Sequence, residues 1–408
     1  MLLSEFDFPF DPVLVADHPV IPRDRARLLV LDRQGGERVH RQVADLPSLL
    51  QSGDLVVVNN TKVMPARVPA QVRSNGKLLD LLFVEDLGQG LWEVLIKGRF
   101  RPGAVIEFPG GGTGEIVERS RLRTTVQVSG VASVYELMQA TGTMPLPPYI
   151  KREPSADDQE WYQTMFAQHE GAIAAPTAGL HFTRELVQAL AGKGIELAQV
   201  TLHVGPGTFR SVKTERIEDH RMLAERIEVS AQTVAQIRLT RERGNRVVAV
   251  GTTVVRALET AARGGRGIEP FQGPAELFIT PGFEFQVIDA MVTNFHLPRT
   301  TLLMLVSAFV GVQPLRAAYE EAVAQRYRFY SYGDAMLRGR GWPAVTEARC
   351  EFSRELCSSS TPRRPSTPVA ASETGGSGKP APWPQQPWPD RRPLREPRVS
   401  VLPYIQPA

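Results

Sequence analysis

Four histidines sit in short polar loops between Gly171 and Asp334, a stretch otherwise built from apolar runs. His181 lies in GAIAAPTAGLHF, His203 in TLHVGPGTF, His220 in HRMLAE and His296 in TNFHLPRT. Turns need Gly, Pro, Thr or Asn, which these loops also carry, but they do not need imidazoles. Loops on a rigid scaffold are where binding and catalytic groups concentrate, and histidine is the side chain best suited to proton transfer near neutral pH. A single histidine of this kind is more often a satisfied core residue. Four in one stretch weigh toward acid/base chemistry, with His181, His203, His220 and His296 as the candidates and Glu225 a fifth because it follows His220 closely.

Small-molecule binding is written beside them. VAVGTTVVRALE reads as a buried strand turning through Gly251 into a helix, which presents backbone N–H groups and the hydroxyls of Thr252 and Thr253 at a helix N-terminus. The bland alternative is that one threonine merely caps the helix. Arg256, one turn further, is a candidate anion contact. Thr177 in the first histidine loop, Gly205 and Gly207 after His203, and Asn294 and Arg299 around His296 complete the candidate substrate contacts, since glycine lets a backbone approach a ligand closely. YRFYSYGDAM adds Tyr330, Tyr332 and Asp334, suited to stacking on a base or facing a cation, or to packing an ordinary edge. The segments contain no H-E-x-x-H, no dinucleotide fingerprint, no phosphate loop of the G-x-x-x-x-G-K-[ST] type and no G-x-S-x-G elbow, so no metal is indicated.

The elements that must position these groups follow from periodicity. Val56–Val58 is a buried strand run before the polar cluster at Asn59–Thr61. ARVPAQVR, LLDLLFVED, LWEVLIKG, AVIEF and TTVQVSG then follow with glycine turns between them and no helix, which predicts a small barrel or sandwich over 61–144. Ser133 to Glu136 matches a capping box, MPLPPYIKR forms a stiff linker, and Asp157–Gln168 reads as a helix. Beyond Gly171 strands at Leu197–Val204, Val247–Val250 and Leu277–Thr280 alternate with helices at Thr183–Ala191, Ala231–Arg243, Val254–Ala262, Thr301–Val310 and Leu315–Arg326. Such alternation predicts an α/β domain with a partly parallel sheet, made of residues 1–60 and 145–337, into which the small all-β barrel is inserted.

Length and composition agree with a globular enzyme: 408 residues, 42% hydrophobic and 22% charged, net charge +3. MLLSEFDFPFDP lacks a basic leader region, and the longest apolar run is too short to span a bilayer, so a cytoplasmic protein with no membrane partner is expected. Cys350 and Cys357 lie outside the patterned body and indicate neither a disulfide framework nor a metal site. Residues 338–408 hold thirteen of the 33 prolines and eleven Lys or Arg against six Asp or Glu, a composition that predicts a disordered extension. The barrel segment is also basic, as an anionic polymer would require, although chance asymmetry of a solvated surface explains it equally.

Taken together, MPLPPYIKR, AAPTAGLHF, TLHVGPGTF, VAVGTTVVRALE, TNFHLPRTTLLMLVSAF and YRFYSYGDAM, with GDLVVVNNTKVMPAR and FDFPFDPVLVADHPVIPRDRARLLVLDR nearer the start, resemble the S-adenosylmethionine:tRNA ribosyltransferase-isomerases of queuosine biosynthesis. The resemblance runs from about residue 2 to 337. It implies an α/β domain carrying an inserted barrel, and transfer of the ribosyl part of S-adenosylmethionine to 7-aminomethyl-7-deazaguanine in a tRNA anticodon. Epoxyqueuosine would form, with adenine and methionine released. S-adenosylmethionine is then a co-substrate, and no metal or other cofactor is implied. The tRNA would lie along the basic barrel, with Arg67, Lys97, Arg99, Arg101, Lys151 and Arg152 as candidate phosphate contacts, and the chain is expected to be a monomer. One departure stands out: the family pattern H-x-M-H-x-E has Leu223 at its second histidine here. Two other readings stay open, a tRNA-binding module without chemistry and a histidine-metal hydrolase.

Overall fold

The computed structural model describes residues 1–31, 38–98, 100–120, 123–209 and 212–339. Arg99, both cysteines and nearly all of the 338–408 extension lie outside the described residues. Seventeen strands follow one another along these segments. β1 (Arg27–Leu31), β2 (Arg38–Gln42) and β3 (Leu55–Asn59) precede β4 (Thr61–Val63). Then come β5 (Arg67–Val72), β6 (Leu78–Asp86), β7 (Leu91–Ile96), β8 (Val105–Glu107), β9 (Thr113–Arg119) and β10 (Thr124–Ser129). The last group is β11 (His169–Ala172), β12 (Glu196–Leu202), β13 (Glu225–Val229), β14 (Val247–Val250), β15 (Phe271–Ala275), β16 (Ala290–Asn294) and β17 (Ala335–Gly339).

Nine of them form one mixed sheet in the order β15-β13-β12-β3-β14-β16-β17-β1-β2. Its centre, β12-β3-β14-β16, is parallel, and β1 and β17 are parallel to each other but antiparallel to β16. The central strands read LVVVN, VVAV and AMVTN and are buried throughout, as strands covered on both faces must be. The architecture is therefore α/β with a partly parallel sheet. One face carries the helix of Ala231–Glu242, capped by Ser230 accepting from Thr233 N–H, and the helix of Thr252–Ala261. The other carries that of Arg184–Gly192, capped by Thr183 accepting from Leu186 N–H. The sequence reading of Leu277–Thr280 as a strand is corrected: the edge strand is Phe271–Ala275, pairing with β13, and Leu277 and Ile279 pack into the core without ladder bonds. Apolar content alone does not distinguish a buried irregular segment from a strand.

Strands β5 to β10 close into an antiparallel barrel in the order β10-β7-β6-β5-β8-β9. Alternate residues point inward, among them Val68, Leu81, Phe83, Trp92, Val94, Ile116 and Val126. The closing strand, β9, escapes the sequence reading because TGEIVER alternates a glycine and charged residues with few apolar ones. Gly114 is inside for a steric reason: a Cβ there would lie 2.7 Å from Val126 Cγ1 and 3.0 Å from Ile106 Cγ1. The helix Val134–Thr141, capped by Ser133 accepting from Glu136 N–H, lays Val134, Leu137 and Met138 against the barrel core. β4 is not part of the barrel; it pairs with β11 instead.

The proline-rich linker returns the chain from barrel to sheet and is held by one buried carboxylate. The helix expected over Asp157–Gln168 is only one turn, Asp158–Trp161, because Asp158 turns inward rather than capping. Its oxygens accept both terminal nitrogens of Arg152 at 2.6 and 2.7 Å, Ser155 N–H at 2.8 Å and the Tyr332 hydroxyl at 3.0 Å. Burial works to raise the Asp158 pKa, but these donors, Arg152 foremost, outweigh it and hold it at about 2. A depressed carboxylate pKa stabilises the fold above the unfolded value, near 4, and that contribution is lost as pH falls toward 2. Asp158→Asn is expected to cost about 2 kcal/mol at pH 7 and to flatten the decline between pH 5 and 3. Denaturant titrations at several pH values would show it, and equal slopes for the two proteins would contradict it.

Candidate active site

The carboxyl ends of β12, β14 and β16 open on a cleft, where open α/β sheets bind their ligands. Val204 lies just beyond β12, Gly251 to Thr253 beyond β14, and Thr293 to Leu297 at the end of β16; with Tyr149, Ala175 to Ala178, Thr300, Leu302, Tyr330 and Ser331 they line it. The space between them is about 620 Å³, open mouth included. Gly251 turns the chain from β14 into the helix with φ +92°, a backbone that favours glycine. The helix starting at Thr252 has no side-chain cap, so the capping role for its threonines is not taken up.

Instead the Thr253 hydroxyl is buried in the cleft wall without a partner. So are Asn294 Oδ1 and the Tyr330 hydroxyl. Buried polar atoms are nearly always satisfied. Three unsatisfied ones around a single cleft mark a surface built to receive hydrogen bonds from something else. Among the described residues the lining contains no Lys, Arg, Asp or Glu, and the rings of Tyr149 and Tyr330 stand 4.7 Å apart.

The histidines are held around this cleft in different ways. His296 lines it directly, its Nε2 2.9 Å from Thr293 Oγ1 and its backbone N–H donating to the Tyr319 hydroxyl at 2.8 Å. His181 stands one residue back. The Asn294 amide donates to its Nε2 at 3.1 Å and to the Tyr330 carbonyl at 3.0 Å, which makes Nε2 the acceptor and places the imidazole proton on Nδ1. His203 bonds Thr61 Oγ1 through Nδ1 at 2.9 Å, and only its neighbour Val204 reaches the cleft. Burial holds His181, His203 and His296 at about 4, with Arg23 and Arg328 adding to the effect at His181 and Arg226 and His169 at His203. The expectation of groups titrating near neutrality is therefore corrected for these three. They are neutral imidazoles at pH 7, because desolvation penalises the charged ring.

Residues 3–337 match the family of queuosine biosynthesis proteins. The chain belongs to that family. It is 46% identical to the S-adenosylmethionine:tRNA ribosyltransferase-isomerase of Citrifermentans bemidjiense over 342 residues, 83% of this chain and all of the relative. The enzyme of the same name from Acidithiobacillus ferrooxidans is 48% identical over 337 residues, 82% of this chain and 97% of that one. The crystal structure of the S-adenosylmethionine tRNA ribosyltransferase of Thermotoga maritima aligns with 82% of this chain and all of that one, at 38% identity and a TM-score of 0.48.

Of the substrate contacts expected from sequence, Thr177, Thr252, Thr253, Asn294 and Tyr330 meet in the cleft of this family member; the others do not. Asp334 is buried just before β17, accepting from Arg27 N–H at 2.9 Å, Arg27 Nε at 3.1 Å and Arg328 N–H at 2.7 Å, so the cation it faces is Arg27 and it anchors a loop outside the cleft. Tyr332 spends its hydroxyl on Asp158. Arg299 is exposed, with φ +59° and Asp7 at 4.0 Å. Arg256 points away from the main cleft: it pairs with Glu225 and donates to the Ala275 carbonyl at 3.1 Å. Glu225 also accepts Gly205 N–H at 2.9 Å, so it is a strut for that loop and has no hydrogen bond to His220. His220 stacks edge-on against Phe278 at 5.5 Å in a second cleft, which Gly207, Leu223, Glu225 and Arg256 share. Leu223, in the place of the family's second histidine, is half exposed there.

Tyr149, Thr293 and Thr300 line the cleft and were not among the expected substrate contacts; Tyr149 sits in the proline-rich linker, a string that could have drawn attention to it. On the barrel, Arg67, Lys77, Lys97 and Arg119 line a groove with Leu78, Pro145 and Pro206. Arg67 is paired with Asp80 at 2.5 Å, and Arg101 and Lys151 are exposed. Arg152 is committed to Asp158, which removes it from the free phosphate contacts. Among the described residues no three His, Cys, Asp or Glu are grouped to hold a metal, and no single helix is long and apolar enough to cross a membrane.

Imidazole pKa values below the unfolded 6.5 carry a stability signature. The contribution is complete above pH 6.5 and is lost as pH falls toward 4, because the unfolded chain then takes up protons that the folded chain refuses. Unfolding free energy is expected to fall by about 1.4 kcal/mol per pH unit for each such histidine in that window. His203→Gln should remove about one proton of the uptake; denaturant titration from pH 6.5 to 4.5 reads it directly, and an unaltered slope would show that His203 titrates normally.

Proposed function

We propose that this chain transfers and isomerises the ribosyl part of S-adenosylmethionine onto 7-aminomethyl-7-deazaguanine in a tRNA anticodon, forming epoxyqueuosine-tRNA and releasing adenine and methionine. The observation that carries this reading is the uncharged cleft with three unpartnered polar atoms at a helix N-terminus. Cations favour a phosphorylated ligand, and among the described residues this lining has none. A sulfonium meets no repulsion there, gains from the faces of Tyr149 and Tyr330, and leaves the amino-acid carboxylate free to approach the N–H groups at Thr252 and Thr253. Neither a module without chemistry nor a metal hydrolase is favoured by the named relatives.

The sulfonium acidifies the C5′ hydrogens of the substrate. A lone pair in the cleft takes one of them; the electron pair left on C5′ forms the C4′=C5′ bond as C4′–O4′ breaks, the freed pair turns C1′–O4′ into a carbonyl, and the C1′–N pair leaves with adenine, which takes up a proton. The amine of the modified base, neutral, adds to C4′ and gives up a proton; the pair returned to C5′ bonds to C1′, and the alkoxide formed there displaces sulfur from C5′, which closes the epoxide and releases methionine. His296 is the imidazole that faces the substrate, so it is the candidate catalytic group. His181 acts through Asn294, and His203, His220 and Glu225 act through the loops they hold; these are positioning residues. Thr253 and Asn294 orient sugar or base, and Thr177 and Thr252 close the wall. The RNA lies along the barrel, where Lys97 and Arg67 of the groove and the exposed Arg101 and Lys151 supply phosphate contacts. The chain works as a monomer in the cytoplasm, where tRNA is available.

The direct test is adenine release from S-adenosylmethionine in the presence of precursor-bearing tRNA; tight RNA binding with no adenine would overturn the reading. Thr253→Val is expected to raise the KM for S-adenosylmethionine roughly tenfold, as loss of a hydrogen bond to a charged or polar ligand does. Its unfolding free energy should be unchanged or higher, since no protein partner is lost. A destabilised Thr253→Val with an unchanged KM would make the hydroxyl structural. Because the imidazoles are already neutral, kcat/KM should show no acid-limb inflection near pH 6.5; a break there would return an ordinary histidine to the mechanism.

A further inference from the structure

The second cleft differs from the first in charge. Lys213 and Arg221 on its rim take part in no ion pair among the described residues, and Arg256, 5% exposed, adds a third cation whose charge Glu225 cancels. Thr214 Oγ1 and Arg256 Nε are buried in this lining without hydrogen-bond partners. Burial lowers the His220 pKa, so that ring adds little charge at neutral pH. The floor is the first turn of the ten-residue helix Thr301–Val310: Thr301 and Leu302 line the cleft, and their N–H groups precede the first intrahelical bond, while the Thr300 hydroxyl serves Leu303. Two free cations, unpartnered donors and a helix N-terminus converge on one space. That is the composition of an anion site.

We infer that this cleft seats a phosphate of the RNA backbone beside the reacting nucleotide. The inference rests on the proposed ribosyl transfer and adds to it the place where the polymer is gripped next to the chemistry. Leu302 lines both clefts, so an anion held here adjoins the uncharged cleft through one side chain. An RNA fixed at that phosphate can turn its base over Leu302 toward His296, whereas the barrel groove holds the strand farther along. The division follows from charge: a phosphodiester is refused by the uncharged cleft and welcomed by the cationic one. A free carboxylate of the small substrate has similar chemistry, and the experiment separates the two.

The probes are a synthetic anticodon stem-loop carrying the precursor base, followed by fluorescence anisotropy from 50 to 200 mM salt, and S-adenosylmethionine followed by calorimetry. The Lys213→Ala/Arg221→Ala double variant changes two exposed side chains and is expected to fold as the parent does. It should bind the stem-loop about tenfold more weakly, with the slope of log affinity against log salt reduced by about 1 to 2. Its affinity for S-adenosylmethionine should be unchanged, and its KM for RNA should rise more than its kcat falls. Arg221→Glu should be worse than Arg221→Ala for RNA alone. Unchanged RNA affinity and salt slope would overturn the inference, as would a loss confined to S-adenosylmethionine, which would assign the cleft to the carboxylate. Adenine release by the parent protein is scored on the same RNA, so failure of the ribosyl-transfer reading is recognised separately from failure of the phosphate site.

Discussion

The Asn294 amide is the joint on which the site turns. It ends the buried strand β16, and its two N–H bonds go to different loops, one to the His181 imidazole and one to the Tyr330 carbonyl. Both donors are thereby used and Oδ1 is left for the cleft. The loop before the helix of Arg184–Gly192 and the loop before β17 are thus tied to the same strand end. An amide 1% exposed cannot rearrange without stranding a polar group, so the geometry is held firmly.

Burial sets the electrostatics. Three imidazoles are kept neutral by their surroundings, and among the described residues the main cleft carries no formal charge, while the adjoining cleft has two cations outside any ion pair. Three buried carboxylates, two of which the sequence reading placed at the chemistry, are spent elsewhere. Asp334 pins Arg27 and the turn at Arg328, Asp158 clamps Arg152 and Tyr332, and Glu225 joins Arg256 to Gly205. Each is a buried charge that needs a partner to stay folded, and the partners it found fix loops around the cleft rather than acting in it.

Periodicity was enough to recognise most of the scaffold. Buried β-branched runs, hydroxyl caps at Ser133, Thr183 and Ser230, and glycine stops mark elements whose local preference and tertiary role agree. It failed where they part. TGEIVER looks polar because only alternate residues face the barrel interior and one of those is Gly114. Leu277 to Thr280 looks like a strand because it is buried, yet no neighbour offers it a ladder. Asp157 looks like a cap, but Arg152 nearby draws the next carboxylate inward.

The amino-acid sequence alone determined which residue types could do chemistry and on which elements they ride: His296 and Asn294 at the end of one strand, Thr252 and Thr253 at the start of one helix, His181 in a loop before another. Those assignments depend on contacts a few residues long, which local pattern encodes. The tertiary structure alone decided which of these groups face a common space, which carboxylates are consumed by arginines far along the chain, and that the imidazoles lose their charge. Partners 113 residues apart, as His181 and Asn294 are, meet only when the sheet is assembled, and desolvation exists only once the surrounding atoms have closed over a ring.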